Sequence, residues 1–349
     1  GGLAARGPAA PDASPLPSTQ ASAGGDTAAA PPAAGSRPAA ASGSASAPLA
    51  PELLLADTSP AVTVPVYLTA QQQIDKIPLE EYVRGVVAAE MPIQFEMEAL
   101  KAQALAARTY IVRRIALKDF SGVPNSEAWV TDSVQHQAFM TETQMKQKWP
   151  GTQYASNLDK LNRAVNATRG KILTYGGEPI NAVFFSTSNG YTENSDEYWS
   201  DSEPYLRSVA SPWDKSSPEY KTTVTFTNWE FVEKLGLAGI RSPSSIIAKM
   251  KILGYTAGHR VDKVKIANTT LTGREVRERL GLRSSQFQVK VNGSSITVTT
   301  FGYGHGVGMS QWGANGMAKE GATAQEIVKY YYQGIDISDQ APYLQKVAQ

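Results

Sequence analysis

Cysteine is absent from all 349 residues of the sequence. Its absence excludes disulfides, thiol catalysis and every zinc motif that uses cysteine. The complete lack of this residue suits an exported protein that does not depend on disulfides. Histidine is also scarce, and the 3 histidines lie far apart with no spacing typical of a metal-binding pair. We therefore expect neither a metal site nor a bound cofactor.

An excess of one charge is also missing. The chain has 33 basic and 32 acidic residues, a net charge of +1. Nucleic-acid-binding proteins usually carry a basic excess, so we expect no nucleic-acid partner. No apolar run reaches the 18 or more residues of a membrane helix, and no intact signal peptide is present. We expect an extracytoplasmic protein whose membrane-anchoring helix precedes residue 1.

The first fifty residues contain no aromatic residue and very few branched apolar ones. Alanine, proline, glycine and serine make up almost all of this stretch. Such a composition buries too little apolar surface to offset the entropy lost on ordering. We predict a disordered linker over residues 1–55, followed by one catalytic domain over residues 56–345. A secondary subdomain is expected around residues 215–300.

Hydrophobic periodicity predicts a mixture of helices and strands after the linker. The expected elements are a strand over residues 62–70, a helix that ends at about Glu90 and Met91, a second helix over residues 95–117, a hairpin at Asn292 and a final helix that stops at Gly334. Pro92 sets the first helix end, because a residue before proline disfavours helical geometry. The pattern predicts an α+β fold, with a mixed sheet and helices around a central cleft.

Glu90 ends the small apolar stretch GVVAAEMP, where a solvated acid is not expected. A carboxylate in the last helical turn faces the partial negative charge of exposed carbonyls, and apolar neighbours add desolvation. Both effects favour the protonated form and raise its pKa. A raised pKa is what a general acid near neutral pH needs. The alternative is a surface acid with an ordinary pKa.

Two basic residues follow on the second helix. Lys101 and Arg108 are seven residues apart, so they share one face of that helix. They are predicted to point into the same cleft as Glu90 and to bind substrate. The same spacing also fits an exposed basic stripe.

A dense polar loop follows two phenylalanines in FFSTSNGYTE. Ser188 and Asn189 carry hydroxyl and amide groups, which both donate and accept hydrogen bonds and so suit sugar hydroxyls. An ordinary turn is the alternative. Aromatic residues beside acids follow, among them Tyr205, which is a candidate for substrate binding. Aromatics of this kind also fill hydrophobic cores.

Four glycines alternate around His305 in GYGHGVGMSQWGANGMA. Such alternation prevents ordinary side-chain packing and lets the backbone pass close to a ligand or another segment. We expect this run, residues 302–308, to pass the end of the Glu90 helix with His305 facing the same cleft. A structural role for His305 stays open. The sequence around Ser310 has one residue too many for the nucleophile elbow of a serine hydrolase.

Several segments together resemble the stage II sporulation protein D family, whose members include amidase-enhancer-like proteins. The resemblance rests on LEEYVRGVVAAEMP, LKAQALAARTY, FFSTSNGYTENSDEYW, PYLRSV and GHGVGMSQWGA, in that order, and it runs from about residue 62 to residue 340. It implies a peptidoglycan lytic transglycosylase outside the membrane, in which Glu90 is the catalytic acid. The other positions that match site motifs are Lys101, Gln103, Arg108, Ser188, Asn189 and His305.

The resemblance also implies a role in septal wall remodelling and engulfment during sporulation. The implied partners are peptidoglycan glycan strands, a cell-wall amidase or endopeptidase, and other engulfment membrane proteins. Some relatives hold zinc through histidine and cysteine, and this chain has no cysteine to supply that ligand. Two rival readings are a non-catalytic glycan-binding enhancer of a wall amidase and a serine hydrolase that uses Ser310 and His305.

Overall fold

A computed structural model of the chain describes residues 61–237 and 239–345. The linker predicted over residues 1–55, and the anchor expected before it, lie outside the described residues. Within the described ranges helices and small sheets are mixed, which confirms the predicted α+β class. None of the helices in these ranges has both the length and the apolar character needed to cross a membrane.

The helices are α1 (Leu79–Glu90), α2 (Met97–Leu117), α3 (Glu142–Lys148), α4 (Thr152–Ala167), α5 (Ser195–Tyr198), α6 (Asn228–Lys234), α7 (Pro243–Ile247), α8 (Gly273–Leu280), α9 (Gln311–Lys319), α10 (Ala324–Tyr331) and α11 (Ala341–Leu344). The strands are β1 (Thr63–Leu68), β2 (Gln73–Pro78), β3 (Val130–Thr131), β4 (Lys171–Tyr175), β5 (Glu178–Pro179), β6 (Phe184–Phe185), β7 (Lys221–Thr227), β8 (Lys251–Tyr255), β9 (Val261–Ile266), β10 (Thr269–Thr272), β11 (Phe287–Asn292), β12 (Ser295–Phe301), β13 (Met309–Ser310) and β14 (Asp336–Asp339).

Helix α2 is the centre of the main hydrophobic core. Its predicted apolar positions are all buried; they are Leu100, Ala104, Ala107, Ile111 and Ile115. The buried residues of α2 extend around most of its circumference. A helix that is buried on most of its sides lies inside a protein, and the alanines of α2 allow neighbouring elements to pack closely. Helices α1, α4, α9 and α10 all pack against it.

Small sheets contribute strands to the same core as α2. The strand orders are β2-β1-β3, β14-β4-β5 and the pair β13-β6. The pair β13-β6 is parallel, with Met309 opposite Phe184 and Ser310 opposite Phe185. This pairing fixes the start of α9, which follows β13 directly. It therefore controls where residue 311 points.

Residues between Phe226 and Val298 form a second hydrophobic core of their own. Two antiparallel sheets with strand orders β10-β9-β8 and β11-β12-β7 supply its strands. The predicted hairpin is confirmed: β11 ends at Asn292 and pairs with β12, and Gly293 has a φ of +60°. The subdomain predicted around residues 215–300 stays a prediction as an independent domain, although this stretch has its own core.

The last predicted helix is shorter than expected. Helix α10 ends at Tyr331, because Tyr332 adopts an extended conformation. Gly334, with a φ of +68°, lies beyond the helix in the loop before β14. The tyrosine at position 332 is fully buried, and its hydroxyl donates to the carbonyl of Val183 at 2.8 Å. Packing at this tyrosine therefore coincides with the end of the helix.

Candidate active site

Glu90 is the last residue of α1, as predicted. Met91 is extended, with φ −116° and ψ 141°, which is the conformation that Pro92 imposes on the residue before it. The Glu90 side chain turns inward rather than toward solvent, and the residue is only 2% exposed. The sequence around it therefore places a carboxyl group inside the protein.

Two amide groups hold the Glu90 carboxyl. Its Oε1 accepts a hydrogen bond of 2.9 Å from the backbone N–H of Ala138. Its Oε2 accepts a longer one, 3.4 Å, from Nε2 of Gln311. Burial raises the pKa of Glu90 to about 8, and the two hydrogen bonds oppose this rise. A carboxyl group with this pKa is mostly protonated at neutral pH.

The bond from Ala138 depends on a close crossing between a loop and α1. The carbonyl of Gly85 accepts a hydrogen bond of 3.1 Å from the N–H of Met140. A Cβ on Gly85 would lie 2.2 Å from the Phe139 ring, which only the glycine avoids. The helix glycine at position 85 therefore lets residues 138–140 lie along α1, with the Ala138 amide at the carboxyl of Glu90.

The residue that donates to Oε2 of Glu90, Gln311, is one of a pair of hydrogen-bonded glutamines. Gln311 begins α9, and its Nε2 also donates to Oε1 of Gln103 at 3.2 Å. Both glutamines are buried. Within the described ranges, Nε2 of Gln103 is buried without a hydrogen-bond partner. A buried amide donor without a partner is available to a polar ligand.

The loop over residues 91–96 leads from Glu90 to α2 and is held from two sides. Lys160 Nζ donates to two of its carbonyls, one of them that of Phe95, at 2.7 Å each. Asn315 on α9 accepts a hydrogen bond of 2.8 Å from the last amide of the loop. The Phe95 ring meets Trp312 edge to face, with ring centroids 5.0 Å apart. The start of α9 is therefore packed against the residues that follow Glu90.

Lys101 is partly exposed and pairs with an acid of its own helix. Its Nζ lies 2.6 Å from Oε1 of Glu98, and the other oxygen of Glu98 accepts a hydrogen bond from the first amide of α10. Lys101 thus lies beside the start of α10. Arg108, the second basic residue predicted to bind substrate, lies two turns further along α2 in a different environment.

Arg108 is fully buried and lies at the other end of α1. Its guanidinium donates to Glu80, with the shortest bond 2.7 Å from Nη2 to Oε2. It also donates to Thr168 and to the carbonyls of Lys171 and Val165. Glu80 precedes Glu90 by ten helical residues, about 15 Å along the axis. Contrary to the expectation from their spacing, Arg108 and Lys101 do not both point into one cleft with Glu90.

The polar loop after β6 is buried and is used within the chain. The Ser188 N–H donates to Oδ1 of Asp214 at 2.7 Å, and its Oγ donates to the carbonyl of Ser211 at 3.2 Å. The Asn189 side chain donates to the carbonyl of Gly258 at 2.9 Å. These groups therefore join β6 to residues 211–214 and to the loop after β8.

Tyr205 and His305 are also buried. The Tyr205 hydroxyl accepts a hydrogen bond of 2.9 Å from the N–H of Asn181. Nδ1 of His305 accepts one of 2.9 Å from the N–H of Val307. Aromatic rings surround the His305 ring, with that of Trp199 at 5.1 Å between centroids. Neither side chain is among the hydrogen-bond partners that the described part of the chain supplies to Glu90.

The close approach predicted for the glycine run, residues 302–308, is confirmed. Its four glycines have φ between +81° and +110°. A Cβ on Gly308 would lie 2.1 Å from the carbonyl oxygen of Val183. One on Gly306 would lie 2.3 Å from the guanidinium of Arg260. Side chains at these positions would therefore collide with backbone and with a buried arginine.

The partner of the glycine run differs from the predicted one. The run lies against β6 and Arg260, and Gln311, three residues beyond Gly308, makes the contact with Glu90. Sequence reasoning missed Gln311 because the segment GMSQWG was tested only for a serine motif. It also missed the Ala138 amide, because residues 120–160 show little periodicity.

The structure contradicts the hypothesis of a serine hydrolase that uses Ser310 and His305. Ser310 is the N-cap of α9, and its Oγ accepts the Gly313 N–H at 3.1 Å. The same hydroxyl donates to the buried carboxyl of Asp214. His305 Nδ1 is occupied by a backbone amide. The serine therefore serves as a helix cap bonded to an acid rather than as a nucleophile beside a base.

Metal-binding residue types are not clustered in the described part of the chain. Over residues 61–237 and 239–345, no group of three or more histidine, cysteine, aspartate or glutamate side chains is placed to hold a metal ion. His136 accepts a hydrogen bond of 3.1 Å from the N–H of Thr131. Burial lowers the pKa of His136 to about 4, so this imidazole is neutral and serves the packing of its loop.

The geometry makes a prediction for Gln311. Replacing it with methionine keeps its length and removes the amide that donates to Glu90. Because that hydrogen bond favours the ionised carboxylate, Gln311→Met is expected to raise the pKa of Glu90 further. A carboxyl titration followed by ¹³C NMR or infrared spectroscopy measures this shift. Gln340→Met, at a buried glutamine that caps α11, is the control, and an equal shift in both variants would contradict the assignment.

Comparison with known proteins gives consistent matches. Residues 67–175 match the family model described as stage II sporulation protein. Stage II sporulation protein D of Bacillus subtilis (strain 168) is 54% identical over 285 residues, which are 82% of this chain and 81% of the relative. Stage II sporulation protein D of Bacillus amyloliquefaciens is 53% identical over 287 residues, with the same two shares.

A more distant relative has a different name. The protein named amidase enhancer, from Bacillus subtilis (strain 168), is 30% identical over 309 residues. The match covers 73% of this chain and 40% of that protein. Glu90 and Gln103 lie within residues 67–175, which match the family model, and Gln311 lies beyond them.

Proposed function

The chain belongs to the stage II sporulation protein D family, and we propose that it is a peptidoglycan lytic transglycosylase with Glu90 as its single acid and base. The substrate is the glycan strand, cut between N-acetylmuramic acid and N-acetylglucosamine. The observation that carries this proposal is a buried carboxyl group whose pKa is raised to about 8. Such a group holds the proton that a general acid must donate at neutral pH.

The reaction needs one titrating group in two successive roles. Protonated Glu90 gives its proton to the glycosidic oxygen, and the bond from that oxygen to C1 of the muramic residue breaks. The Glu90 carboxylate then takes the proton of the C6 hydroxyl of the same muramic residue. The C6 oxygen bonds to C1 and leaves a 1,6-anhydro end, and Glu90 is protonated again.

A second carboxylate is not needed, since no water has to be activated. Ordinary glycoside hydrolysis uses two carboxyl groups. The hydrogen-bond partners of Glu90 in the described part of the chain are amides. The buried carboxyl of Asp214 is occupied by hydroxyls and by the Ser188 amide. This arrangement supports a one-acid reaction over a two-acid hydrolysis.

Because Glu90 is buried, the substrate has to displace one of the groups that are hydrogen-bonded to its carboxyl. The 3.4 Å bond from Gln311 is the weaker of its two hydrogen bonds, because it is near the limit of hydrogen-bond length. When the sugar replaces Gln311, the unpartnered Nε2 of Gln103 becomes a donor to its polar groups. Lys101, partly exposed on the same helix as Gln103, is the cation we place nearest the incoming strand.

A pH profile tests the role of Glu90. The rate of anhydro-product formation at low substrate should be level near neutral pH and fall above about pH 8, by about tenfold per pH unit. The cause is loss of the Glu90 proton, whose pKa is raised to about 8. Measuring kcat/KM from pH 6 to pH 10 on purified glycan strands gives this profile. A rate that rises across this range would contradict a protonated Glu90 as the acid.

The alternative function is that of a non-catalytic enhancer of a cell-wall amidase. Two observations favour it: the 30% identity to a protein named amidase enhancer, and the 2% exposure of Glu90. Glu90 would then be a sugar ligand or a structural residue. A purified wall amidase assayed with and without the chain distinguishes the two functions, because an enhancer raises amidase turnover without cutting glycan itself.

The cellular setting we propose follows from family membership. The family is one of sporulation proteins. We place this chain outside the cytoplasm, anchored to the cell membrane, in septal wall remodelling and engulfment. A cell-wall amidase or endopeptidase and other engulfment membrane proteins are the partners proposed for it, beside the glycan strands.

A further inference from the structure

Positive charge is concentrated in one part of the sequence. Residues 221–301 contain 13 basic and 5 acidic residues, a net charge of +8. The remainder of the chain therefore has a net charge of −7, since the total is +1. This stretch coincides with the second hydrophobic core and its two sheets. The even overall charge hides this asymmetry.

Three lysines of this stretch lie on one face of the β10-β9-β8 sheet. Lys251 on β8 is directly opposite Lys265 on β9, and Lys263 is two residues from Lys265 on the same strand. All three are exposed. The opposite face of β9 carries Val264, which is fully buried in the second core. We call Lys251, Lys263 and Lys265 the lysine face.

The lysine face is not compensated by acids. Like charges directly opposite each other destabilise a sheet, and within the described residues none of the three lysines forms an ion pair. The acids Glu275 and Glu278 of the neighbouring helix α8 pair with arginines of that helix instead. The three ammonium groups therefore have no ion-pair partner within the described residues, which leaves them available to an anionic partner.

Protection of a sheet edge does not explain the lysines. Lysine on an edge strand discourages pairing between sheets, and this accounts for Lys251, since β8 is an edge strand. Lys263 and Lys265 lie on β9, the central strand of the sheet. Their charges are therefore left without a role in the fold.

Two large side chains on β8, the strand of Lys251, indicate which kind of anionic partner fits. Leu253 and Tyr255 on β8 are 54% and 62% exposed. A soluble polyanion would use the lysines and leave these two side chains without partners. The surface of a lipid bilayer takes all three kinds of group: lysine at anionic headgroups, tyrosine at the interface and leucine among the acyl chains.

We propose that the lysine face, together with Leu253 and Tyr255, docks on the surface of an anionic lipid bilayer. Each lysine near such a surface strengthens binding by roughly fivefold at physiological salt. The three together contribute on the order of 100-fold. Docking of this kind is peripheral and depends on salt. It does not involve Glu90, so it stands or falls separately from the proposed enzyme activity.

Flotation of the whole chain with lipid vesicles tests the proposal. We expect binding to vesicles of 30% phosphatidylglycerol in phosphatidylcholine, little binding to pure phosphatidylcholine, and loss of binding at high salt. The triple variant Lys251→Gln, Lys263→Gln, Lys265→Gln should bind the anionic vesicles about 100-fold more weakly. The matched control is Lys215→Gln, Lys319→Gln, Lys329→Gln, which removes the same charge from exposed lysines elsewhere and should bind as the parent does.

A second variant separates the bilayer from a soluble polyanion. Leu253→Ser with Tyr255→Ser should weaken vesicle binding and leave the retention of the chain on immobilised polyphosphate unchanged. Equal vesicle binding by the two lysine variants, both folded by circular dichroism, would overturn the proposal. Binding to polyphosphate without binding to anionic vesicles would overturn it as well and would identify a wall polyanion as the partner.

Discussion

Glu90→Gln is expected to abolish the formation of 1,6-anhydro ends almost completely. Glutamine keeps the size of the side chain and can accept the Ala138 hydrogen bond, but it carries no proton that it can donate to a leaving oxygen. General acid and base catalysis is typically worth about 10²- to 10⁴-fold. Since one group performs both steps, we expect a loss at the upper end of that range.

The control for this variant is Glu81→Gln. Glu81 lies on the same helix and is exposed, so its replacement should leave the rate unchanged. Binding of the variants to glycan strands should be close to that of the parent. If Glu90→Gln retained a tenth or more of the parent rate, Glu90 would be a ligand of the sugar rather than the acid.

The second large effect of Glu90→Gln is a gain in stability as the pH rises, in contrast to the loss of activity. The pKa of Glu90 is about 8 in the folded chain against an ordinary value of 4.5. Between these two pH values the folded state holds a proton that the unfolded state has released. Raising the pH through this window therefore lowers the free energy of unfolding, by up to about 1.4 kcal/mol per pH unit.

Glutamine does not titrate, so the variant escapes this loss. Relative to the parent, Glu90→Gln should gain about 2 to 4 kcal/mol in free energy of unfolding between pH 5 and pH 8. Urea unfolding of both proteins at the two pH values measures the gain. Glu81→Gln should follow the parent, because it lacks the buried environment. An unchanged pH dependence in Glu90→Gln would mean that the carboxyl group is not buried in solution.

Patterns between near neighbours in the sequence predicted the two helices that form the site. The proline at position 92 ends α1 at Glu90, and the spacing of apolar residues predicts α2 with its buried face. These features depend on near neighbours in the chain, so they can be read from one segment at a time. The raised pKa of Glu90 was predicted in direction for the same reason, since its apolar neighbours are adjacent in sequence.

Contacts between distant segments could not be predicted in this way. Gln311 is more than two hundred residues from Glu90, and the β13-β6 pairing brings it there. Arg108 was predicted to lie in the cleft because helical spacing shows which residues share one face of a helix. It does not show which segment packs against that face. The partner of Arg108, Glu80, sits at the far end of α1. The alternating glycines predicted a close approach correctly, but glycine spacing does not name the segment that is approached.

Mass spectrometry of the products from purified, unmodified glycan strands tests the central claim most directly. The chain alone, without an amidase, should release fragments that end in 1,6-anhydro-N-acetylmuramic acid. Fragments with reducing N-acetylmuramic acid ends would contradict the claim, because water would then be the nucleophile. The claim would also fail if the chain released no fragment and only raised the turnover of an added amidase.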